Sequence, residues 1–334
     1  MLSVIIPARN EEDCIAECLR SLTSQSEEGF ELGDEWDLLL ADDGSTDRTR
    51  RIVEGFAGIT LIDPGTPPKG WTGKANAVWN AAKVATGRWL LFTDADTVHE
   101  AGNLRRSMHE AEKAGVAMLS YSPRQIVTGF WQRALMPLIF SELALAYPPL
   151  KVSDPTSRLA AANGQFLLIR HDAYVKIGGH EAVADSILED VDLANLVKRS
   201  KLGLRFRYAP DALSSHMYRT FGGMFEGWTK NLALLFGNCL ALAAWRLLDM
   251  VLLTGLPLLA VMMRNRPLAL SALLLLWFRA LWRFFARVAK SNFGAGDCAL
   301  SVLGLPLFAV VLVRSWFDHT IRRRVAWKGR EYPA

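Results

Sequence analysis

Apolar residues follow two patterns along this chain, and the change from one to the other divides it. In the first two thirds, short apolar runs alternate with amphipathic stretches. Leu2 to Pro7 is an apolar run of the kind that forms a buried strand. Ile15, Cys18, Leu19 and Leu22 then recur at helical period on one face, and Asn10 stands where it could cap that helix. Trp36 to Ala41 reads as a second strand that stops abruptly at Asp42-Asp43-Gly44. Ile52, Val53 and Phe56 mark a second helix, and Ile59 to Ile62 a third strand. Asp63 to Gly73, rich in Pro and Gly, reads as loop. The small residues of Ala75 to Ala85 suit a helix packed closely on a sheet. Trp89 to Thr93 is a fourth strand ending at Asp94-Ala95-Asp96, and Val116 to Tyr121 a fifth. Alternation of near-continuous apolar strands with helices predicts an α/β fold, its mostly parallel sheet covered on both faces.

The second pattern begins near Leu232. From there to Trp316 the chain is dominated by Leu, Ala, Val, Phe and Trp, whereas nearly all Asp and Glu precede residue 227. A spanning helix needs ~20 mostly apolar residues. Leu247 to Met263 nearly meets this, with Asp249 near one end, and Cys298 to Phe317 meets it, with Arg314 able to snorkel outward. Leu268 to Val288 is apolar in its first half, but Arg279, Arg283 and Arg287 recur every four residues among Trp277, Trp282 and Phe284. Such a stripe fits a helix lying in the membrane interface, with a third crossing as the competing reading. Arg322-Arg323-Arg324 and Lys328 form a basic tail that the positive-inside rule places in the cytoplasm. With the acidic part on that same side the number of crossings is even, and two crossings plus an interfacial Arg helix fit best. Phe130 to Leu150, which carries Arg133 and Glu142, is either another interfacial helix or a buried core helix. The expected division is a soluble domain over 1–230, membrane helices over 231–320 and a basic cytoplasmic tail over 321–334.

Composition adds little to this, because the average hides the split: 334 residues, 51% hydrophobic, formal charge +4. The positive charge gathers near the C-terminus and reads as a membrane signal, not a nucleic-acid signal. No basic n-region or cleavage site opens the chain, so no signal peptide is expected. Cys14 and Cys18 lack a zinc spacing and a second pair; with Cys239 and Cys298 they read as small buried apolar residues in a reducing compartment.

Ligands of open α/β sheets bind at the carboxyl ends of strands. Two acidic clusters are predicted there, Asp42-Asp43 and Asp94/Asp96. The D-x-D pair can converge on a hard divalent cation, Mg²⁺ or Mn²⁺, which bridges carboxylates to substrate phosphates. An Asp in the Asp42-to-Asp47 turn can accept hydrogen bonds from a base or ribose. Lys74 opens a helix after a Gly-rich loop, where a cation and free N–H groups could hold a diphosphate; an ordinary exposed Lys is the plainer reading. Glu189-Asp190-Val191-Asp192 precedes a helix and offers a base for an acceptor hydroxyl, though acids are favoured at any helix N-terminus. Asn163-Gly164-Gln165 could wall the acceptor side, and His216 could be a third metal ligand or a diphosphate contact.

These motifs, in this order, resemble family 2 glycosyltransferases of the GT-A fold. Ser3-Val4-Ile5-Ile6-Pro7-Ala8-Arg9-Asn10-Glu11-Glu12 is similar to that family's opening, Asp42-Asp43-Gly44-Ser45 with Asp47 to its nucleotide-binding loop, Asp94-Ala95-Asp96 to its metal-binding D-x-D, and Glu189-Asp190 to its E-D motif. Gly70-Trp71-Thr72-Gly73-Lys74, Gly227-Trp228-Thr229-Lys230-Asn231 and Trp327-Lys328-Gly329-Arg330-Glu331-Tyr332 resemble membrane-anchored members associated with hopanoid and carotenoid pathways. The Q-x-x-R-W motif of processive synthases is absent. The resemblance implies a metal-dependent, inverting transfer of one sugar from a nucleotide-diphosphate donor, with UDP favoured, to a lipid or membrane-proximal hydroxyl. It implies donor contacts from Pro7, Arg9, Glu11, Asp42, Asp43, Lys74 and Asp94. Asp96 and His216 would hold metal, Asp190 would be the base, and Asn163, Gly164, Gln165 and Glu189 would lie on the acceptor side. The residue chemistry alone leaves Asp190 and Asp192 unseparated. A nucleotidyltransferase and a non-catalytic membrane-bound sugar-nucleotide binder are the alternatives.

Overall fold

The structure, a computed structural model, describes residues 1–327 and 329–333. Lys328, one residue of the expected basic tail, lies outside them. The chain forms two compact units: residues 1–126 with 147–217, and residues 127–146 with 218–334.

The first unit is a mixed sheet between helices. Its strands are β1 (Leu2–Ala8), β2 (Trp36–Asp42), β3 (Ile59–Ile62), β4 (Trp89–Phe92), β5 (Thr97–His99), β6 (Met118–Ser122), β7 (Arg124–Gln125), β8 (Leu167–Arg170), β9 (Leu204–Tyr208) and β10 (Leu213–Ser215). Seven of them form one sheet in the order β3-β2-β1-β4-β8-β6-β9, and β5-β10-β7 form a small second one. Helices α1 (Ile15–Thr23), α2 (Thr49–Val53), α3 (Gly73–Val84) and α4 (Asn103–Lys113) come first. The chain then leaves for the second unit in α5 (Phe130–Ala146) and returns with α6 (Pro149–Ser153), α7 (His171–Lys176) and α8 (Glu189–Arg199).

The apolar runs form strands as their pattern requires: Leu2, Val4, Ile5 and Ile6 are all fully buried, as strands covered on both faces must be. α1 buries Ile15, Cys18, Leu19 and Leu22. In α3 the small residues Ala75, Ala77, Val78, Ala81 and Ala82 let the helix lie close on the sheet, and Thr72 caps its start by accepting from Ala75 N at 3.1 Å.

Two local expectations are corrected. Asn10 does not cap α1, because it adopts a left-handed φ of 53° and its Oδ1 accepts from Thr46 N instead. The second helix ends at Val53, so Phe56 packs from a turn. The sheet is mostly parallel, as the alternation predicts: β1, β2, β3 and β4 pair in parallel, as do β6 and β9, and β8 alone runs antiparallel, to both β4 and β6.

The second unit is helical, with α5, α9 (Phe221–Leu235), α10 (Cys239–Met262), α11 (Pro267–Val288) and α12 (Ala295–Phe317). The hairpin of β11 (Arg324–Trp327) and β12 (Arg330–Pro333) follows. The expected boundary at 230 therefore falls inside α9. Of the two readings of Phe130 to Leu150, the core helix is the one found. α5 buries Leu135, Leu138 and Ile139 and packs on α12, where a side chain at Gly304 would meet Ala134 O at 2.2 Å. Leu150 lies beyond it in α6, exposed.

Among the described residues, three helices are long and apolar enough to cross a membrane: Cys239–Met262, Pro267–Ser291 and Ala295–Arg322. Within this unit Glu142 lies 3.0 Å from Arg246, Arg246 3.2 Å from Asp249, and Asp249 2.5 Å from Arg287. The Arg stripe of α11 thus divides, with Arg287 turned inward to a carboxylate and Arg279 and Arg283 exposed. The end of α9 meets the end of α12: Ala233 N donates to Ser315 Oγ at 2.8 Å, His319 Nε2 donates to Lys230 O at 2.8 Å, and Lys230 Nζ lies 4.8 Å from the Trp327 ring centre.

Candidate active site

Two loops at the carboxyl edge of the sheet are laced together. Ala8 at the end of β1 stands opposite Asp42 at the end of β2. Beyond that pair, Arg9 Nη1 donates to Asp43 O at 2.6 Å and Asp43 N to Ala8 O at 2.8 Å. Asp42 Oδ1 accepts from Ser45 N at 2.9 Å, and Asp47 accepts from Thr49 N at 2.9 Å and Glu12 N at 3.1 Å. Gly44 takes the left-handed φ of 70° on which this turn depends. Asp42 and Asp43 are buried in a turn far more heavily bonded than a solvated loop.

The reversed strand builds the neighbouring cluster. Because β8 runs antiparallel to β4, with Phe92 opposite Leu167, the residues that follow β4 meet those that precede β8. Asp94 and Gly164 are thereby brought together, although about seventy positions separate them in the sequence. The start of α8 reaches the same place: Gly164 N donates to Asp190 Oδ2 at 2.7 Å, and Val191 N to Asp190 Oδ1 at 2.8 Å. Lys74 Nζ lies 2.8 Å from Asp94 Oδ1 and 2.8 Å from Glu189 Oε1. A Cβ on Gly164 would stand 3.0 Å from Lys74 Nζ and 3.5 Å from Asp190 Oδ2, so glycine keeps the space between the charges open. Pro7, Lys74, Asp94, Gly164, Glu189 and Asp190 line one small cavity.

The charges here are strained. Burial, reinforced by Glu189, pushes the Asp190 carboxyl up to about 7 in spite of Lys74. Burial, with Asp94 and Glu11 nearby, does the same to Asp96, also to about 7. Lys74 loses solvation by burial, yet Asp94, Glu189 and Asp190 hold its ammonium well above the ordinary range. Asp192 has another place: it accepts from Ser186 Oγ at 2.7 Å. Geometry thus separates two acids that residue chemistry could not.

The other expected site residues lie as follows. Gln165 is buried, its amide held between Gln125 and Ser215. Glu189 is buried against Lys74. Asn163 shapes the turn, accepting from Gln165 N at 2.9 Å and donating from its own N to Ser120 Oγ at 2.8 Å. Glu11 accepts from Cys14 Sγ at 3.4 Å. β10 runs antiparallel to β5 with Ser215 opposite Thr97, and His216, the next residue, donates its backbone N to Asp96 O at 3.4 Å, so β10 brings His216 to Asp96. Among the described residues no group of three His, Cys, Asp or Glu side chains is arranged to hold a metal. The oxygen pair Asp94 and Asp96 nonetheless fits a hard cation that completes its shell with phosphate and water. The crowding that raises Asp96 is what such a cation would relieve.

Sequence reasoning missed His180, which lines the cavity, is bonded to Tyr174 OH at 2.9 Å and is kept neutral by burial with a pKa of about 4. No local pattern marks it.

Comparison with known proteins agrees with this geometry. Residues 3–175 match Glycosyl transferase family 2. Over 342 aligned residues the chain is 25% identical to the 4,4'-diaponeurosporenoate glycosyltransferase of Staphylococcus aureus (strain USA300), covering 99% of this chain and 88% of that protein. Among solved structures it resembles a mannosyltransferase from Pyrobaculum calidifontis, determined with GDP-Man and Mn²⁺. That match has a TM-score of 0.56 and 17% identity, and covers 96% of this chain and 87% of the other.

Proposed function

The chain belongs to glycosyl transferase family 2, and from that premise we propose that it moves one sugar, with inversion, from a UDP-sugar to a hydroxyl of a lipid acceptor. The observation that carries this reading is Asp190, held by two backbone N–H groups beside Gly164 and raised to about 7. A carboxylate poised near neutrality suits a general base. The rigid Asp42-Asp43 turn holds the nucleoside. Lys74 and Asp94 stand beside the donor diphosphate, and Pro7 and Arg9 close that side. Asp190 accepts the acceptor's proton as its oxygen attacks the anomeric carbon from the face opposite the leaving diphosphate. Asp96, with Asp94 beside it, would hold Mg²⁺ or Mn²⁺, which neutralises charge on the diphosphate when bound; the Mn²⁺ named with the Pyrobaculum mannosyltransferase supports that choice.

The lipid acceptor is supported by the apolar helices and by the relative named for a carotenoid-pathway substrate. That name also supports a second reading. Its substrate is a carboxylate, which has no proton to give up, so transfer to such an acceptor would not need Asp190 as base.

Entry to α10 and exit from α12 at one end of the helical unit support an even number of crossings, with α11 only partly traversing. The basic tail and the catalytic unit then share the cytoplasmic side. Labelling of single cysteines introduced at Arg266 and at Arg323 tests this: equal accessibility from outside the cell at both positions would exclude it.

The direct test of function is transfer by the detergent-purified protein from radiolabelled UDP-glucose or GDP-mannose into a bacterial lipid extract, with Mg²⁺ or Mn²⁺ against EDTA. Metal-dependent label in lipid, with release of nucleoside diphosphate, is expected. Release of pyrophosphate would point to a nucleotidyltransferase. Donor binding without transfer or hydrolysis would leave only a binding protein.

A further inference from the structure

Lys74 stands between two carboxylates that differ in their surroundings. Its Nζ lies 2.8 Å from Asp94 Oδ1 and 2.8 Å from Glu189 Oε1, and the Asp94 side chain is 30% exposed where that of Glu189 is 9% exposed. Glu189 opens α8, and the turn ahead of that helix is fixed. Ser186 Oγ donates to Asp192 Oδ2 at 2.7 Å and accepts from Leu188 N at 3.1 Å. Lys74 lies in the first turn of α3, whose capping residue is tied to the same segment: Thr72 N donates to Ala184 O at 2.8 Å. The starts of α3 and α8 are therefore joined through the backbone and do not depend on the ion pair. Yet the pair is kept at the cavity, which Lys74 and Glu189 line together with Pro7, Asp94 and Gly164. An ammonium has three N–H donors. With two of them turned to carboxylates, a third remains for a ligand oxygen.

We propose that Glu189 is a positioning residue of the donor side, which anchors the Lys74 ammonium so that its remaining N–H meets the donor diphosphate. The proposal rests on the reading of Lys74 as a diphosphate contact, and it moves Glu189 from the acceptor side, where the resemblance put it. Lysine carries its charge on a long flexible stem, and ordering such a side chain on binding costs affinity. A partner that holds the ammonium beforehand removes that cost. Asp94 is the poorer anchor, because in the same reading it is engaged by what binds. Glu189 is buried, sits on a rigid helix start and is favoured there by the helix dipole. Two successive residues of α8 thus serve opposite sides of the reaction: Glu189 the leaving group through Lys74, and Asp190 the acceptor.

The test is a double-mutant cycle on the full-length protein in detergent with excess Mn²⁺, using Glu189→Gln, which keeps the shape, Lys74→Met and the two together. Calorimetry measures the binding of UDP and of uridine, which lacks the diphosphate, with GDP and guanosine run in parallel. Lys74→Met is expected to weaken nucleoside diphosphate binding about tenfold or more, the loss of one hydrogen bond to a charged group. Glu189→Gln is expected to weaken it about fivefold, and the double variant to bind no worse than Lys74→Met, because Glu189 acts only through Lys74. Nucleoside binding should stay within about twofold of the parent throughout. Glu189→Gln with parental diphosphate affinity would overturn the proposal. So would single losses that multiply in the double variant, or an equal loss for the nucleoside, which would make Glu189 a support of the fold. If Lys74→Met itself keeps the parental affinity, or the parent binds neither diphosphate, the reading of Lys74 fails and this inference with it. A loss in Lys74→Met alone sinks only the role of Glu189.

Discussion

In the helical unit, Glu142, Arg246, Asp249 and Arg287 form a buried quartet in which two positive groups answer two negative ones. In the α/β unit, Lys74 is set among Asp94, Glu189 and Asp190, while Asp96 lies close to Asp94 and Glu11. The quartet is the more buried, its side chains no more than 20% exposed against 39% for Lys74, and the balance differs too. The first cluster is closed and neutral, as a low-dielectric interior demands. The second is left negative, and burial together with that excess raises Asp190 and Asp96. Charge that serves packing is cancelled within the protein. Charge that serves chemistry is left to be completed by what binds, which here is a cation, a diphosphate and an acceptor proton.

The comparison can be broken at either cluster. The largest effect is expected from Asp190→Asn, which should lower transfer to a hydroxyl acceptor by about 10²- to 10⁴-fold and leave donor affinity unchanged. Single-turnover transfer measured beside donor binding checks this, and near-normal transfer would favour the carboxylate acceptor. Next comes Arg246→Leu, which leaves Glu142 and Asp249 to share Arg287 and the quartet one positive charge short; it should cost about 3–5 kcal/mol of stability, whereas the joint change Glu142→Leu with Arg246→Leu should recover most of it. Unfolding in detergent reads both; equal losses would mean that the quartet is not a self-contained pair set. A pH profile gives a third, smaller effect. Asp190 must be ionised to accept a proton and its pKa is raised to about 7, so kcat/KM at saturating metal should fall as pH drops through about 7, by about tenfold per unit below. A profile flat to pH 5 would remove Asp190 from the chemistry. Thr72→Ala should have the smallest effect, about 1 kcal/mol, through loss of the cap on the helix that carries Lys74. Thermal unfolding measures it, and an unchanged melting temperature would show that packing alone holds that helix.

Much of the fold was legible because strands buried on both faces leave unbroken apolar runs, and because α1 repeats its apolar residues at helical period. β8 was not legible: four residues of Leu-Leu-Ile-Arg carry no direction, and only pairing with β4 and β6 sets it antiparallel. Much of the rest followed from that strand. It carried Gly164 to Asp94 and set the Gln165 amide between Gln125 and Ser215. α5 was ambiguous for a related reason. An apolar helix of that length reads alike whether lipid or protein covers it, and α12, far along the chain, decided the matter.

By itself the sequence determined what depends on near neighbours: the apolar period of each element, the acids at strand ends, the family to which their order belongs, and the apolar C-terminal helices. Only the tertiary structure decided what depends on distant pairing. It separated Asp190 from Asp192, brought His216 of β10 to Asp96, and turned the charges of the helical segments into a closed quartet. Hydrophobic periodicity is local and survives in one dimension. The direction and partner of a buried polar group depend on which chain segments pack around it.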